Sequence, residues 1–301
     1  MARGITFVVN PAAGQGNGLA AAREAGKRLD DAGVAHRLWP STRMEHAATL
    51  AEAAAKQGDV VAAVGGDGLV SRLASVMVQV GGILGVVPTG RGNDIARGLG
   101  IPMKTSEATE VLLNGGARRV DLLRVTGRHG LSRFVAGNMY AGMDSLTTAR
   151  AESIRLLRGQ AQYRYAALRE LTTWRPVRYK LDIDGDLYAY DGFACVIASS
   201  PYYGAGMPIA PAAVVDDGFA DIVMVAHGSK LKMVMGLADL VDGTHVDRPE
   251  VTTLRGRSIT LEMDRDLPVY ADGDPLPLEP PLQIVVVPGA LRALVPRTAA
   301  A

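Results

Sequence analysis

Along the first 125 or so residues, short apolar and β-branched runs alternate with longer alanine-rich runs of helical period. No other feature constrains the fold as strongly. "GITFVVN" reads as a strand and "GLAAAREAGKRLDDAG" as a helix that stops at Gly33. "HRLWPST" reads as the next strand and "MEHAATLAEAAAKQG" as the next helix. "DVVAAVG", "LVSRLASVMVQV" and "GILGVVP" then continue as strand, helix and strand. Such alternation predicts a parallel sheet covered by helices, and ligands of such sheets bind beyond the carboxyl ends of the strands. Three polar, glycine-rich turns fall at those ends: "NPAAGQGNG" (10–18), "GGDG" (65–68) and "PTGRGNDIAR" (88–97).

The second half has another character. Two helical patterns, "SLTTARAESIRLLRG" and "QAQYRYAALRELTTW", lead into "VRYKLDIDGDLYAYDG", where Val177, Tyr179, Leu181 and Ile183 alternate with polar residues as in a half-buried strand. "FADIVMVAH", "RSITLEMD", "LPVYADG" and "LQIVVVPG" follow as strands between glycine, proline and aspartate turns, and only "SKLKMVMGLADLVDG" reads as a helix. The expected fold class is therefore an α/β N-terminal domain with a parallel sheet, over residues 1–130, followed by a mostly antiparallel β domain over 131–287. The segment 288–301 is expected to pack back on the first domain.

Charge and cysteine usage narrow the classes of function. The 301 residues carry 32 Lys and Arg against 31 Asp and Glu, a net charge of +1, which leaves no global basic field to gather nucleic acid. The one cysteine, Cys195, lies in the apolar run "GFACVIASS" and reads as a buried small hydrophobe. A single cysteine forms no internal disulfide, and a reducing cytoplasm is the expected location. The N-terminal apolar run is too short for a signal peptide, and none approaches the ~18 residues of a membrane span. Membrane contact is expected to be peripheral.

Each glycine turn taken singly is an ordinary βα turn whose glycines supply positive φ. Neither the P-loop pattern nor G-x-G-x-x-G occurs. Three turns at one sheet edge, however, could wrap one phosphorylated ligand, because a strand, a glycine turn and a helix N-terminus together make an anion site. Asp67 in "GGDG" would oppose that anion unless a cation or a transferable proton lay between them. A carboxylate there could hold magnesium or orient an acceptor hydroxyl, or it could simply cap the following helix.

"GGDG" before a helix, "PTGRGNDIARGLGIP" about twenty residues on and "NPAAGQG" at the start together resemble the diacylglycerol kinase catalytic domain family, which includes bacterial soluble lipid kinases and sphingosine and ceramide kinases. The likeness continues through "LLRVTGRHGLSRFVAGNMYAGMDS", "GAGMPIAPAAVVDDGFADIVMV", "VYADGDPLPL" and "VVPGALRALVP". It implies an ATP-dependent kinase of a lipid hydroxyl, most simply diacylglycerol, with a first domain like that of NAD kinases and phosphofructokinase, a C-terminal β-sandwich and an active site between them. It assigns Asn10, Gly14, Gly65, Gly66, Asp67, Gly68, Leu69, Val70 and Ser71 to the nucleotide, with Ser41 or Thr42 nearby and Arg91, Asn93 and Asp94 in the next loop. The turn "AVVDDGF" resembles the family's structural magnesium site, with the carbonyls of Val214 and Phe219 and the carboxylate of Asp217. An oxygen-only shell suits that ion, although Asp-Gly between β runs is by itself a hairpin signal. Asp274 in "ADGD" takes the place of the catalytic proton acceptor; by its residues alone the segment is a turn capped by Asp272 and Asp274.

Three departures touch the site. "GGDGLVSR" puts Ser71 and Arg72 where the family has asparagine and glutamate, Arg91 stands for a threonine, and Asp274 for a glutamate. Arg72 and Arg91 read either as phosphate clamps or as solvated rim residues. Between Ala149 and Lys180 eight Lys or Arg residues face two Glu, interleaved with Tyr163, Tyr165 and Trp174, a composition able to dock on anionic lipid or to form a solvated face. The expected partners are a lipid alcohol and, through 149–180, a membrane surface, with no nucleic acid; a homodimer is left open. A NAD kinase-like enzyme and a non-catalytic lipid or nucleotide binder are the rival readings.

Overall fold

The computed structural model describes residues 4–154 and 160–297. Four strands, β1 (Ile5–Val9), β2 (His36–Pro40), β3 (Val60–Gly65) and β4 (Ile83–Pro88), alternate with helices α1 (Gly18–Asp31), α2 (Met44–Lys56) and α3 (Asp67–Val80), and α4 (Asp94–Gly98) and α5 (Thr105–Asn114) follow. The strands pair in parallel in the order β4-β3-β1-β2. Phe7, Val9 and Val64 pack under Leu29 of α1 and Leu112 of α5. On the opposite face Val8, Val61 and Ala63 meet Ala51 of α2 and Leu73 and Met77 of α3. Burial on both faces is why these strands read as unbroken apolar runs rather than alternating ones.

α3 shows how the local sequence sets an element. Leu69, Val70, Leu73, Ala74, Val76 and Met77 form its buried stripe, at the spacing of one helix face. Gly81, at φ 66°, stops it in the left-handed conformation. It starts at Asp67, two residues before the apolar pattern, because the extended Gly66 lets Asp67 and Gly68 enter the first turn.

The second half comprises the hairpin β5 (Gly116–Thr126) and β6 (Ser132–Val135), then β7 (Asn138–Gly142), α6 (Met143–Ser153), α7 (Gln160–Thr173), β8 (Val177–Ile183), β9 (Asp186–Ala198) and β10 (Ala220–Ala226). α8 (Lys230–Asp239), β11 (Val251–Gly256), β12 (Ser258–Met263), β13 (Val269–Ala271), β14 (Asp274–Pro275) and β15 (Leu282–Val295) complete it. Apart from β15 against β4, every pairing here is antiparallel. Tyr179, Leu181, Ile197, Ile222, Leu261 and Ile284 fill the core of this domain. Cys195 is fully buried on β9, and burial pushes its thiol up to about 12, so it is a packing residue. The expected helix over 145–159 is seen as α6 up to Ser153; residues 155–159 lie outside the described residues.

β15 belongs to both halves. Its first residues pair with β12, its length runs antiparallel to β5, and Arg292 and Ala293 lie parallel to Ile83 and Leu84 of β4. The register shifts between Val287 and Leu291, where Gly289 takes φ 58° and the strand bends from one domain into the other. Residue 130 lies in the β5–β6 turn.

Candidate active site

Two loops meet backbone to backbone at the carboxyl edge of the sheet. Thr89 N–H donates to Gly65 O at 3.0 Å, and a Cβ built on Gly90 would collide with Gly66 Cα, so Gly90 leaves no room for a side chain. The β4–α4 loop is braced from within: Gly90 N–H donates to Asn93 Oδ1 at 2.8 Å, and Asn93 Nδ2 donates back to Gly90 O at 3.0 Å. Asn93 holds φ 56°, a conformation asparagine tolerates. On the neighbouring strand, Asn10 Oδ1 accepts from Ala12 N–H at 3.0 Å, and Gly14 lies in a short 3-10 turn over Ala13–Gly16.

Asp67 does not cap its own helix. Gly66 is the N-cap of α3 and offers no side-chain bond, so the first N–H groups of α3 stay available to an anion. Asp67 Oδ1 instead accepts from Ile95 N–H at 2.9 Å, on the first turn of α4, and thereby ties the second glycine loop to the third. A Cβ on Gly92 would come within 2.9 Å of Asp67 Oδ2.

Opposite these loops stands the β13–β14 turn of the second domain. Asp274 overhangs Gly68 so closely that a Cβ there would collide with its carboxylate. Burial, followed by the negative charges of Glu152 and Asp67, raises the Asp274 carboxyl above its ordinary value. Asp272, two residues earlier at φ 52°, turns inward and accepts from the N–H groups of Ala136, Gly137 and Asn138 at 2.8, 2.7 and 3.2 Å and from Ser71 Oγ at 2.5 Å. Burial pushes it up to about 6 despite those donors. The pair Ser71–Asp272 is thus a direct bond between the first turns of α3 and the second domain.

Two recesses open on this junction. A groove of about 320 Å³ is lined by Asn10, Ala12, Gly66, Gly68, Arg91 and Asp274, among others. A cavity of about 1070 Å³ extends into the second domain between α6, α7, α8 and the sheet, with Met143, Phe193, Val196, Met207, Ile209 and Leu240 on its walls. Asp67 and Arg91 line both, and among the described residues Arg91 is the one cationic residue of the groove wall. Near the junction the cavity turns polar. Asn138 Oδ1 and Thr147 Oγ1 are buried there without a partner among the described residues, and Asp144, at the start of α6, is pushed up to about 7 by burial.

Of the residues expected at a nucleotide, Asn10, Gly66, Asp67, Gly68, Leu69 and Arg91 come together on the groove, and Asp274, expected as the proton acceptor, stands beside them. The Leu69 and Val70 side chains are packed in the core, so only backbone is available at these two positions. The Ser71, Asn93 and Asp94 side chains turn to other partners; Asp94 accepts from Ala205 and Gly206 N–H at 3.0 and 2.6 Å. Ser41 Oγ donates to Val9 O at 2.9 Å and is buried, while Thr42 is exposed beside His46; neither lines the groove. Arg72 is exposed on α3 and lines neither recess. Asp272 and Asp144 were not singled out as site residues by sequence. The signal for Asp272 was its place in "ADGD"; Asp144 is marked only by the strand-to-helix turn "AGMDS".

The "AVVDDGF" turn departs from the expected magnesium shell. Asp217 Oδ1 accepts from Phe219 N–H at 3.0 Å, and its Oδ2 is ion-paired with Arg255. Asp121 Oδ2 accepts from Gly218 N–H at 2.6 Å and its Oδ1 from Gly289 N–H at 2.7 Å, fixing the turn to β15. Val214 is exposed. The one carboxylate of the set is already neutralised by a guanidinium, so the residues as arranged do not fit the ion. No group of three or more His, Cys, Asp or Glu among the described residues is placed to hold a metal.

Comparison with known proteins agrees with this architecture. Residues 4–125 match the diacylglycerol kinase catalytic domain and residues 137–295 the YegS C-terminal NAD kinase beta sandwich-like domain. A diacylglycerol kinase of Mycobacterium tuberculosis is 34% identical over 299 residues, covering 97% of this chain and 95% of that protein. A Chromohalobacter salexigens protein named "Probable lipid kinase YegS-like" is 30% identical over 291 residues, covering 92% and 89%. A crystal structure of a diacylglycerol kinase from Bacillus anthracis superposes with a TM-score of 0.70 at 19% identity over 98% of this chain and 97% of that one.

Proposed function

We propose that this chain, a lipid kinase that belongs to the diacylglycerol kinase catalytic domain family, transfers the γ-phosphoryl group of ATP to the free hydroxyl of diacylglycerol. The observation that carries this reading is the meeting of a polar groove and a large apolar cavity at Asp67 and Arg91. A phosphoryl group that passes from a nucleotide to a lipid must cross such a junction.

In this reading the triphosphate lies along Asn10, Gly66 and Gly68 toward the open N-terminus of α3, which favours anions. The acyl chains occupy the apolar cavity, and the lipid hydroxyl reaches Asp274. Asp274 takes the hydroxyl proton as that oxygen bonds to the γ-phosphorus and the bond to the bridging oxygen of ADP breaks. Its raised carboxyl is a better acceptor at neutral pH than an exposed aspartate. Arg91 meets the phosphoryl oxygens with a planar donor fork. Asp67 is the carboxylate at hand for a magnesium ion arriving with the nucleotide, which would spread the charge of the γ-phosphate. Asp272 holds the β13–β14 turn against α3 through Ser71 and so positions Asp274.

A NAD kinase-like activity is disfavoured by the apolar walls of the larger cavity, which suit hydrocarbon rather than a charged dinucleotide. Incubation with γ-labelled ATP and separate mixed micelles of diacylglycerol, ceramide and sphingosine, and with NAD in solution, tests the reading. Label in diacylglycerol is expected. Label in NAD, in another lipid alone or in no acceptor would overturn it.

A further inference from the structure

α8 is unlike the other helices. It carries Leu231, Met233, Val234, Met235 and Leu237, and buries none of its residues. Helical spacing divides them into two faces. Met233, Gly236 and Leu237 line the large cavity, and Leu240 continues that face just beyond the helix. Leu231, Val234 and Met235 point the other way into solvent, with Leu231 70% exposed, while Val241 beyond the helix end stands at the cavity rim. The neighbouring helix α7 lines the same cavity with Ala167 and adds exposed Tyr165 and Leu168. The two helices are joined where Lys230 Nζ donates to Thr172 O at 2.7 Å.

We infer that α8 is the element that seats this protein on a lipid bilayer, its outward face dipping into the leaflet while its inward face walls the cavity into which the lipid is drawn. The inference rests on the lipid-kinase reading, since an acceptor lipid resides in a bilayer and must leave it through the cavity mouth. A thin wall that is apolar on both sides is stable where hydrocarbon stands on both sides. Among the charges around it, Lys232 pairs with Glu250 and Arg248 with Asp239, while Lys230 rests on the neutral Thr172 carbonyl and keeps its charge. A second copy of the chain is a poorer occupant, because a stable dimer buries about 800 Å² per partner and a ten-residue helix is only about 15 Å long.

Co-sedimentation of the full chain with phosphatidylcholine vesicles, with and without phosphatidylglycerol, tests the inference without any need for turnover. Wild type is expected to bind both. The double substitution Leu231→Glu with Val234→Glu should weaken binding at least about tenfold, because two buried apolar side chains are lost from the leaflet. Leu187→Glu, at an equally apolar but distant residue that is 82% exposed, should leave binding unchanged. If the double variant fails to fold, hydrogen exchange of the wild type decides, with slowed exchange in α8 on adding vesicles expected. Unchanged exchange in α8, wild-type binding by the double variant, binding that requires phosphatidylglycerol and ignores α8, or a dimer dissolved by the substitutions without vesicle binding would overturn the inference. Absence of diacylglycerol phosphorylation with α8-dependent binding intact would instead count against the proposed reaction alone.

Discussion

Arg91 lines both the polar groove and the large apolar cavity, and by the resemblance to the family it takes the place of a threonine. If it meets the γ-phosphate, a charge-assisted contact worth about 1.5–3 kcal/mol is at stake, so Arg91→Ala should lower kcat/KM by roughly tenfold to a hundredfold. ATP affinity should fall while ADP affinity stays near wild type, as titration calorimetry can measure; equal loss for both would place Arg91 on the inner phosphates or the rim. Asp272 makes a prediction of opposite character. Its carboxyl titrates at about 6 when folded against 3.8 as an isolated group, so between those values the folded chain holds a proton that the unfolded chain has released. That stability is fully present below the lower value and is lost as pH rises through the upper one. Denaturant unfolding of wild type and Asp272→Asn at both ends of this window should show the wild type's relative stability declining with pH; a relative gain would contradict the burial argument. The strand–turn–helix junction at Asp67 is legible in "GGDG", whereas Asp274 is marked by the family resemblance and its own residues read only as a capped turn. The bond between Ser71 and Asp272 is not legible, because it depends on a contact across 201 positions of chain that no local pattern records.

Elements were read well where periodicity was strong. The four strands and the first three helices of the first half follow from apolar spacing, with α1 ending just before Gly33, whereas α4 and α5 carry no such reading. Pairing was less legible: nothing in "LQIVVVPGALRALV" says that one strand will serve β12, β5 and β4 in succession, since neighbours in a sheet are chosen by packing rather than by local preference. The "AVVDDGF" turn shows the same limit, for the partner that decides its chemistry, Arg255, comes from β11. With Arg255 on Asp217, added Mg²⁺ or EDTA should leave the wild-type Tm unchanged. Arg255→Ala frees the carboxylate, so this variant should gain a Mg²⁺-dependent rise in Tm. A magnesium-dependent Tm in the wild type would show that the ion displaces the arginine.

At the scale of the whole molecule, two domains share a sheet through β15 and β5, and the β13–β14 turn of the second reaches the glycine loops of the first. The division into an α/β half and a β half was visible in composition and period, whereas the large cavity was not, because its walls come from stretches of chain scattered between Asp67 and Gly273. In the proposed reaction Asp274, held over Gly68, accepts the proton of a lipid hydroxyl as ATP's γ-phosphoryl group is transferred. Transfer of labelled phosphate to diacylglycerol in mixed micelles by wild type and Asp274→Asn, with ATP binding measured on the same samples, tests it most directly. Labelled lipid is expected from the wild type, at least a hundredfold less from Asp274→Asn, in keeping with the loss of a general base, and equal ATP affinity for both. A fully active Asp274→Asn protein would contradict it.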